Sequence, residues 1–241
     1  MESIDKVQGI VEKKEELLRN MEVSPAVIRR LPRYHRYLGD LIRAGKMRIS
    51  SKELAALMGV TASQIRQDLN CFGGFGQQGY GYNVKYLHGK IGELLGTTEG
   101  YRAVIIGAGN LGRALAATHM FDRRGVTRMA MFDNNPAIIG TEIYGIPVYH
   151  VDMLGSFCKS NAVDIAVLTV PKEAAKGVSD VLVRSGIKGI WNFANMELKV
   201  EDESVVVENI HLGDSLMTLC YELKNRYGES VDEENENNVH I

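Results

Sequence analysis

With 241 residues, 45% of them apolar and 24% charged, and a formal net charge of −2, the chain has the composition of an ordinary water-soluble protein of one large domain or two small ones. No run approaches the roughly 20 apolar residues of a membrane span, and Met1-Glu2-Ser3-Ile4-Asp5-Lys6 has no signal-peptide core, so a cytoplasmic protein without a membrane partner is expected. Cys71, Cys158 and Cys220 are odd in number and far apart, which makes neither a disulfide framework nor a metal knuckle; buried or inert thiols and no metal are expected.

The small net charge hides an asymmetry. Residues 23–90 carry eleven Lys/Arg against three acids, a balance of +8, whereas residues 91–241 carry thirteen against twenty-one, a balance of −8. A basic module joined to an acidic one points to a polyanion as the partner of the first.

In chain order, residues 1–22 are a weakly amphipathic accessory segment of mixed charge. Ser24-Pro25 starts a helix, with a cap residue followed by proline in the first turn. Val27, Ile28, Leu31, Tyr34, Leu38, Leu41 and Ile42 follow at helical spacing, and Pro32 is expected to break or kink this helix near Arg30. Ser50 with Glu53 forms a capping box before Leu54, Ala55, Leu57 and Met58, and Gly59 closes that helix. Thr61 caps a third helix, with Ala62, Ile65 and Leu69 inward and Ser63, Gln64, Arg66 and Gln67 outward. Two helices joined by a glycine turn, the second presenting glutamine and arginine, make a helix-turn-helix whose outward side chains suit base edges. The glycine- and aromatic-rich stretch from Gly73 to Val84 reads as a β-hairpin wing. A connecting helix follows, and Gly96-Thr97-Thr98-Glu99-Gly100 is a hinge.

Beyond the hinge, Arg102-Ala103-Val104-Ile105-Ile106 is a doubly buried strand running into Gly107-Ala108-Gly109-Asn110-Leu111-Gly112 and then into a helix. Strand, G-x-G-x-x-G and helix together specify a dinucleotide site: a tight turn at Gly107, close pyrophosphate approach at Gly109, and helix–strand packing at Gly112. A second apolar run ends at Asp133-Asn134, where an acid accepts from the adenosine ribose and repels a 2′-phosphate, so NAD is favoured over NADP. Strands over 162–170 and 189–193, with a helix over Lys172–Arg184 between them, complete a second βαβ half. Strand carboxyl ends line the crevice of such a sheet, which makes Thr169, Val170, Pro171, Asn192, Phe193 and Ala194 candidates for the nicotinamide side. Their mostly apolar character would favour neutral dihydronicotinamide over its cationic oxidised form. Leu212, Leu216, Leu219, Leu223 and Tyr227 form a helical stripe, either a docked terminal helix or an interface helix. Residues 228–241 are acidic, polar and expected to be disordered.

Several of these blocks, in this order, resemble the Rex family of redox-sensing transcriptional repressors. They are Arg30-Leu31-Pro32-Arg33-Tyr34, Gln64-Ile65-Arg66-Gln67-Asp68-Leu69 with Phe72-Gly73-Gly74-Phe75-Gly76, and Gly79-Tyr80-Gly81-Tyr82-Asn83-Val84. Gly109-Asn110-Leu111-Gly112, Leu168-Thr169-Val170-Pro171 and Gly186-Ile187-Lys188-Gly189-Ile190-Trp191-Asn192-Phe193 complete the set, which spans residues 24–227. The resemblance implies an α/β protein: a winged helix-turn-helix over 23–96, a Rossmann doubly wound parallel sheet over 97–210, and a swapped dimerisation helix over 211–227. It also implies a homodimer that binds an inverted-repeat operator in double-stranded DNA and senses NADH/NAD⁺. Candidate DNA contacts are Arg30, Arg48, Ser63, Gln64, Arg66, Gln67, Gln77 and Gln78. The chain departs from the family where His211 replaces an aspartate before the last helix and Thr118 replaces a tyrosine after the fingerprint. Arg36, the expected partner of that aspartate, is retained, and these three form a candidate interdomain switch. The Gln77-Gln78 pair and Gln67 replace cations of the wing and recognition helix. A repressor without enzymatic activity is expected. The alternatives are an NAD-dependent oxidoreductase, for which Lys172 and His119 are available acid/base groups without a motif, and a nucleotide-binding regulator lacking redox discrimination.

Overall fold

The computed structural model describes residues 24–72, the backbone of 76–77, and 80–227. The expectations for residues 1–22 and 228–241 and for the side chains of Gln77 and Gln78 lie outside them. The chain divides into two compact units, Met1–Glu99 and Gly100–Ile241.

The first unit runs α1 (Pro25–Arg43), β1 (Arg48–Ile49), α2 (Ser51–Met58), α3 (Ala62–Asn70), β2 (Gly76–Gln77), β3 (Gly81–Asn83) and α4 (Val84–Leu94). The three strands form an antiparallel sheet in the order β1-β3-β2, the wing beside the helix pair α2–α3. Helix starts follow the local chemistry. Glu53 N–H donates to Ser50 Oγ at 3.1 Å while Ser50 N–H donates to Glu53 Oε2 at 2.8 Å, closing the capping box of α2. Lys46, pairing with the exposed Glu53, joins the Ser50 bonds in drawing its carboxyl down to about 2. Thr61 caps α3 and Asn83 caps α4. Leu31, Tyr34, Leu38, Leu54, Ile65 and Ile91 are buried in one core, each apolar side chain contributing about 1.5–3 kcal/mol. Pro32 does not break α1, contrary to expectation. It lies on the exposed side with Ile28, so water can take the carbonyl its ring leaves unpaired, while buried Leu31 and Tyr34 hold the helix down on the opposite face.

The second unit runs β4 (Tyr101–Ile106), α5 (Asn110–Ala117), β5 (Val126–Asp133), β6 (Glu142–Ile143), β7 (Ile146–His150), α6 (Leu154–Asn161), β8 (Ile165–Leu168), α7 (Lys172–Arg184), β9 (Gly189–Asn192), β10 (Val206–Asn209) and α8 (Leu212–Tyr227). Its sheet is ordered β10-β9-β8-β4-β5-β7-β6, parallel throughout except at the edge hairpin β6–β7. The chain builds outward from β4 through β5 to β7, then returns to β8 on the other side of β4. That reversal is the Rossmann topology, and it opens a crevice beyond the carboxyl ends of β4 and β8. Ala103–Ile106 and Ala166–Leu168 are fully buried, as strands covered on both faces must be. The periodicity reading overlooked α6 and the strands β6 and β10. Leu154 and Cys158 are the buried positions of α6 in eight residues, too little for a period to stand out. Burial pushes the Cys158 thiol up to about 11 and makes it inert, whereas Cys220 is exposed on α8 rather than buried. Among the described residues no helix is long and apolar enough to cross a membrane, and no His/Cys/Asp/Glu group could hold a metal ion.

Candidate dinucleotide and nucleic-acid sites

Ile106 on β4 and Leu168 on β8 are register partners, so Gly107 and Thr169 leave the sheet side by side. Gly107 has φ +100°, a conformation only glycine adopts freely, and a Cβ there would lie 2.6 Å from the Thr169 carbonyl. At Gly112 a Cβ would meet the Gly107 carbonyl at 1.9 Å, so helix and turn touch backbone to backbone. Gly109 differs: nothing lies within 4 Å of its notional Cβ. The space above it is open, as a pyrophosphate requires, and Gly109 starts α5 without a side-chain cap, leaving first-turn N–H groups for phosphate oxygens. The residues present therefore fit a dinucleotide.

Asp133 closes the far end of this cradle. Its Oδ2 accepts from Ala108 N–H at 2.6 Å and its Oδ1 from Asn135 N–H at 2.9 Å. Each oxygen keeps a lone pair for a ribose hydroxyl, and the fixed negative charge opposes a 2′-phosphate. Arg113, which the motif reading passed over, donates from Nε to the Ala108 carbonyl at 2.8 Å. Ala108 is thus held at its N–H by an anion and at its carbonyl by a cation. Asn110 and Asn134 are exposed and Leu111 is half-buried. Thr169 Oγ reaches the carbonyls of Ile106 (3.0 Å) and Gly107 (2.8 Å), so it braces the turn.

On the expected nicotinamide side, Val170 is half-buried, Pro171 exposed, Phe193 half-buried and Ala194 buried. Trp191, the single tryptophan, stands edge-on to Phe193 at 4.6 Å and to Phe121 at 6.2 Å. Asn192 is mostly engaged inside the protein. Fully buried, its Nδ2 donates to Met196 O (3.0 Å) and Asn209 Oδ1 (2.7 Å), and its Oδ1 accepts from Ala194 N–H (3.0 Å). Both N–H groups of its amide are engaged within the protein, which leaves only the second lone pair of Oδ1 for a ligand. His119, with 80% of its side chain exposed, sits 3.5 Å from Asp122, and Lys172 is exposed in the first turn of α7.

In the basic unit two of the expected DNA contacts also serve the fold. Arg30 and Gln64, both expected at a DNA surface, turn to Asp68, which is fully buried. Arg30 donates from Nε and Nη2 to its two oxygens at 2.7 Å each, and the Tyr34 hydroxyl and Gln64 Nε2 add bonds of 2.7 Å. Burial alone would raise the Asp68 carboxyl, but the bonds from Arg30, Tyr34 and Gln64 outweigh it and hold the group below its ordinary range. One signal was available: Asp68 stands three residues after Ile65 and beside Leu69, on the inward face of α3, where an acid needs partners. Exposed on α3 are Ser63, Arg66, Gln67 and Asn70, with Arg66 Nη1 donating to Ser51 Oγ at 3.2 Å. Arg48 is exposed on β1 at the foot of the wing, its guanidinium 5.9 Å from the centre of the exposed Tyr80 ring. Arg36 is exposed, 5.6 Å from the Tyr37 ring centre. Thr118 donates to the Leu115 carbonyl at 2.8 Å, capping the end of α5, and His211 Nε2 lies 3.0 Å from Glu197 Oε2.

A winged helix-turn-helix followed by a Rossmann domain with an NAD-type cradle defines a class, that of ligand-responsive DNA-binding regulators. Residues 22–70 match the family model of the putative DNA-binding protein N-terminus, and residues 98–196 that of the CoA binding domain. The chain is 56% identical over 205 residues to the redox-sensing transcriptional repressor Rex of Clostridium botulinum (strain Alaska E43 / Type E3), covering 85% of this chain and 97% of that one. It is 54% identical over 208 residues to the Rex of Clostridioides difficile (strain 630), covering 86% and 99% respectively. RSP, a Rex-family repressor, has been solved in complex with β-NAD⁺ and operator DNA; it superposes with a TM-score of 0.80 at 49% identity, covering 90% of this chain and 99% of that one. RSP with β-NADH gives a TM-score of 0.78 at 49% identity over 85% and 95% of the two chains. The chain belongs to the Rex family of redox-sensing transcriptional repressors.

Proposed function

We propose that this chain is a transcriptional repressor that binds an inverted-repeat operator as a homodimer and releases it when NADH fills the cradle between Gly107 and Asp133. The observation that carries this reading is the open space above Gly109, bounded by a pinned carboxylate, in the same chain as a winged helix. Ser63, Arg66 and Gln67 read base edges, and Arg48 supports the wing at the phosphates. The apolar side chains Val170, Pro171 and Phe193 favour the uncharged reduced ring over the cationic oxidised one. Operator fragments selected from random duplexes, titrated with and without NADH or NAD⁺, test the reading. NADH should weaken the complex and NAD⁺ should not; equal effects of both would leave only a nucleotide-binding regulator.

Two further expectations arise here. Arg66→Ala should weaken operator binding by about 1–3 kcal/mol, with the thermal midpoint unchanged because the side chain is exposed. An unaltered gel shift would remove Arg66 from the interface. Helix α8 supports the dimer: it buries none of its side chains and exposes Leu212, Leu216, Met217, Leu219, Tyr221, Leu223 and Tyr227. A helix without a covered face is marginal in water, and a second copy of the chain supplies the cover. Sedimentation should give twice the chain mass for the native protein and the single mass for a Leu216→Asp/Leu223→Asp variant.

A further inference from the structure

The carboxyl end of β9 and the root of α8 are joined by a continuous run of side-chain hydrogen bonds. Ala194 N–H donates to Asn192 Oδ1 at 3.0 Å, and Asn192 Nδ2 donates to Asn209 Oδ1 at 2.7 Å. Asn209 Nδ2 donates to Glu197 Oε1 at 3.4 Å, and the other oxygen of Glu197 meets His211 Nε2 at 3.0 Å. His211 immediately precedes α8, whose first turn begins with Asp214 N–H donating to the His211 carbonyl at 3.2 Å.

Neither amide can turn over without loss. Asn192 also donates to Met196 O at 3.0 Å, and Asn209 is held by Leu198 at both ends, accepting from its N–H at 3.0 Å and donating to its carbonyl at 3.1 Å. Reversing Asn192 would set its NH₂ against the Ala194 N–H, and reversing Asn209 would set its NH₂ against the Leu198 N–H. The bond directions are therefore fixed from the pocket side outward. The run thus leads from Phe193–Ala194 through buried Asn192 to Asn209, and on to the root of α8 through its one exposed member, Glu197, whose side chain is 61% accessible.

We propose that Glu197 is a positioning residue of the redox response: through His211 it ties the orientation of α8 to the nicotinamide side of the cleft. This rests on the NADH-responsive reading above. Glu197 touches neither the glycine cradle nor Asp133 among its described bonds, so its removal separates coupling from binding.

The test is a double-mutant cycle on the full-length protein with Glu197→Ala, His211→Ala and the pair. Three quantities are measured: NADH affinity from quenching of the Trp191 emission, operator affinity without cofactor, and the factor by which saturating NADH weakens the operator complex. The two affinities should stay within about twofold of wild type, while the weakening factor falls about fivefold or more in each single variant. It should fall no further in the pair. Glu197→Gln, which keeps an acceptor toward Asn209 or His211, should recover part of the factor. Unchanged weakening in Glu197→Ala, or losses that multiply in the pair, would overturn the proposal with the repressor reading intact. A wild-type operator complex indifferent to NADH would overturn the repressor reading itself.

Discussion

Replacing Asp68 with asparagine should cost the first unit about 2–4 kcal/mol at neutral pH. The range is set below that of a fully buried pair because the Arg30 side chain is 33% exposed and water screens part of its charge. The amide keeps the volume but not the charge, and its NH₂ must face donors that now converge on a carboxylate from Arg30, Tyr34 and Gln64. Burial raises the Tyr34 hydroxyl and the adjacent carboxylate raises it further, so Tyr34 stays a donor at every working pH. The same substitution has a pH signature. Asp68 sits lower in the folded chain than the ordinary aspartate value of about 3.9. Its contribution is complete above that value and is lost as pH falls through the lower folded-state value. The stability gap between native and Asp68→Asn protein should therefore be widest near neutrality and narrow below about pH 4. Chemical denaturation at several pH values, followed by circular dichroism of the first unit, measures it. A gap constant down to pH 3 would show that the carboxylate is not the ionised hub of this cluster. Because Gln64 and Arg30 belong to that hub, operator affinity should fall with the fold and not ahead of it.

The second large effect separates two glycines three residues apart. Gly112→Ala should destabilise the Rossmann unit by about 3 kcal/mol or more and lower its Tm by roughly 6 °C or more. The new methyl would meet the Gly107 carbonyl at 1.9 Å and Thr169 Oγ at 2.9 Å, and a backbone carbonyl cannot swing aside as a long side chain can. Gly109→Ala has open space around it and should leave Tm within a degree or two, since surface changes of this kind stay within about 0.5 kcal/mol. It should nevertheless weaken NADH binding roughly 10-fold or more, the worth of one lost charge-assisted hydrogen bond to the pyrophosphate. Operator affinity without cofactor should be unchanged. Trp191, beside Phe193, is the reporter for the titration. If Gly109→Ala bound NADH normally, the pyrophosphate would lie somewhere other than over this turn.

The alternation of apolar runs, glycine turns and caps made most of this architecture legible. Val104-Ile105-Ile106 before Gly107, and Ser50 three residues ahead of Glu53, act over a few residues, and their chemistry is settled before any distant contact forms. The helix Lys172–Arg184 was placed to the residue for that reason. Pro32 was misread because its cost depends on whether water reaches the unpaired carbonyl, a matter of burial. The internal bonds of Arg30, Gln64 and Asn192 were hidden by the same route: each looks like a free polar group until a partner 38, 4 or 17 residues away folds against it.

What the sequence by itself determined is the kind of protein: a basic helix-turn-helix module, a dinucleotide fold with an acid suited to NAD, and a terminal helix with an apolar stripe. What only the tertiary structure decided is which polar side chains remain available. Asp68 draws Arg30 and Gln64 inward, Asn209 and Met196 engage the amide N–H groups of Asn192, and Glu197 pairs with His211. A residue's type states what bonds it can make, but burial and the direction of its neighbours decide which bonds it does make, and burial is settled only when distant segments of the chain meet.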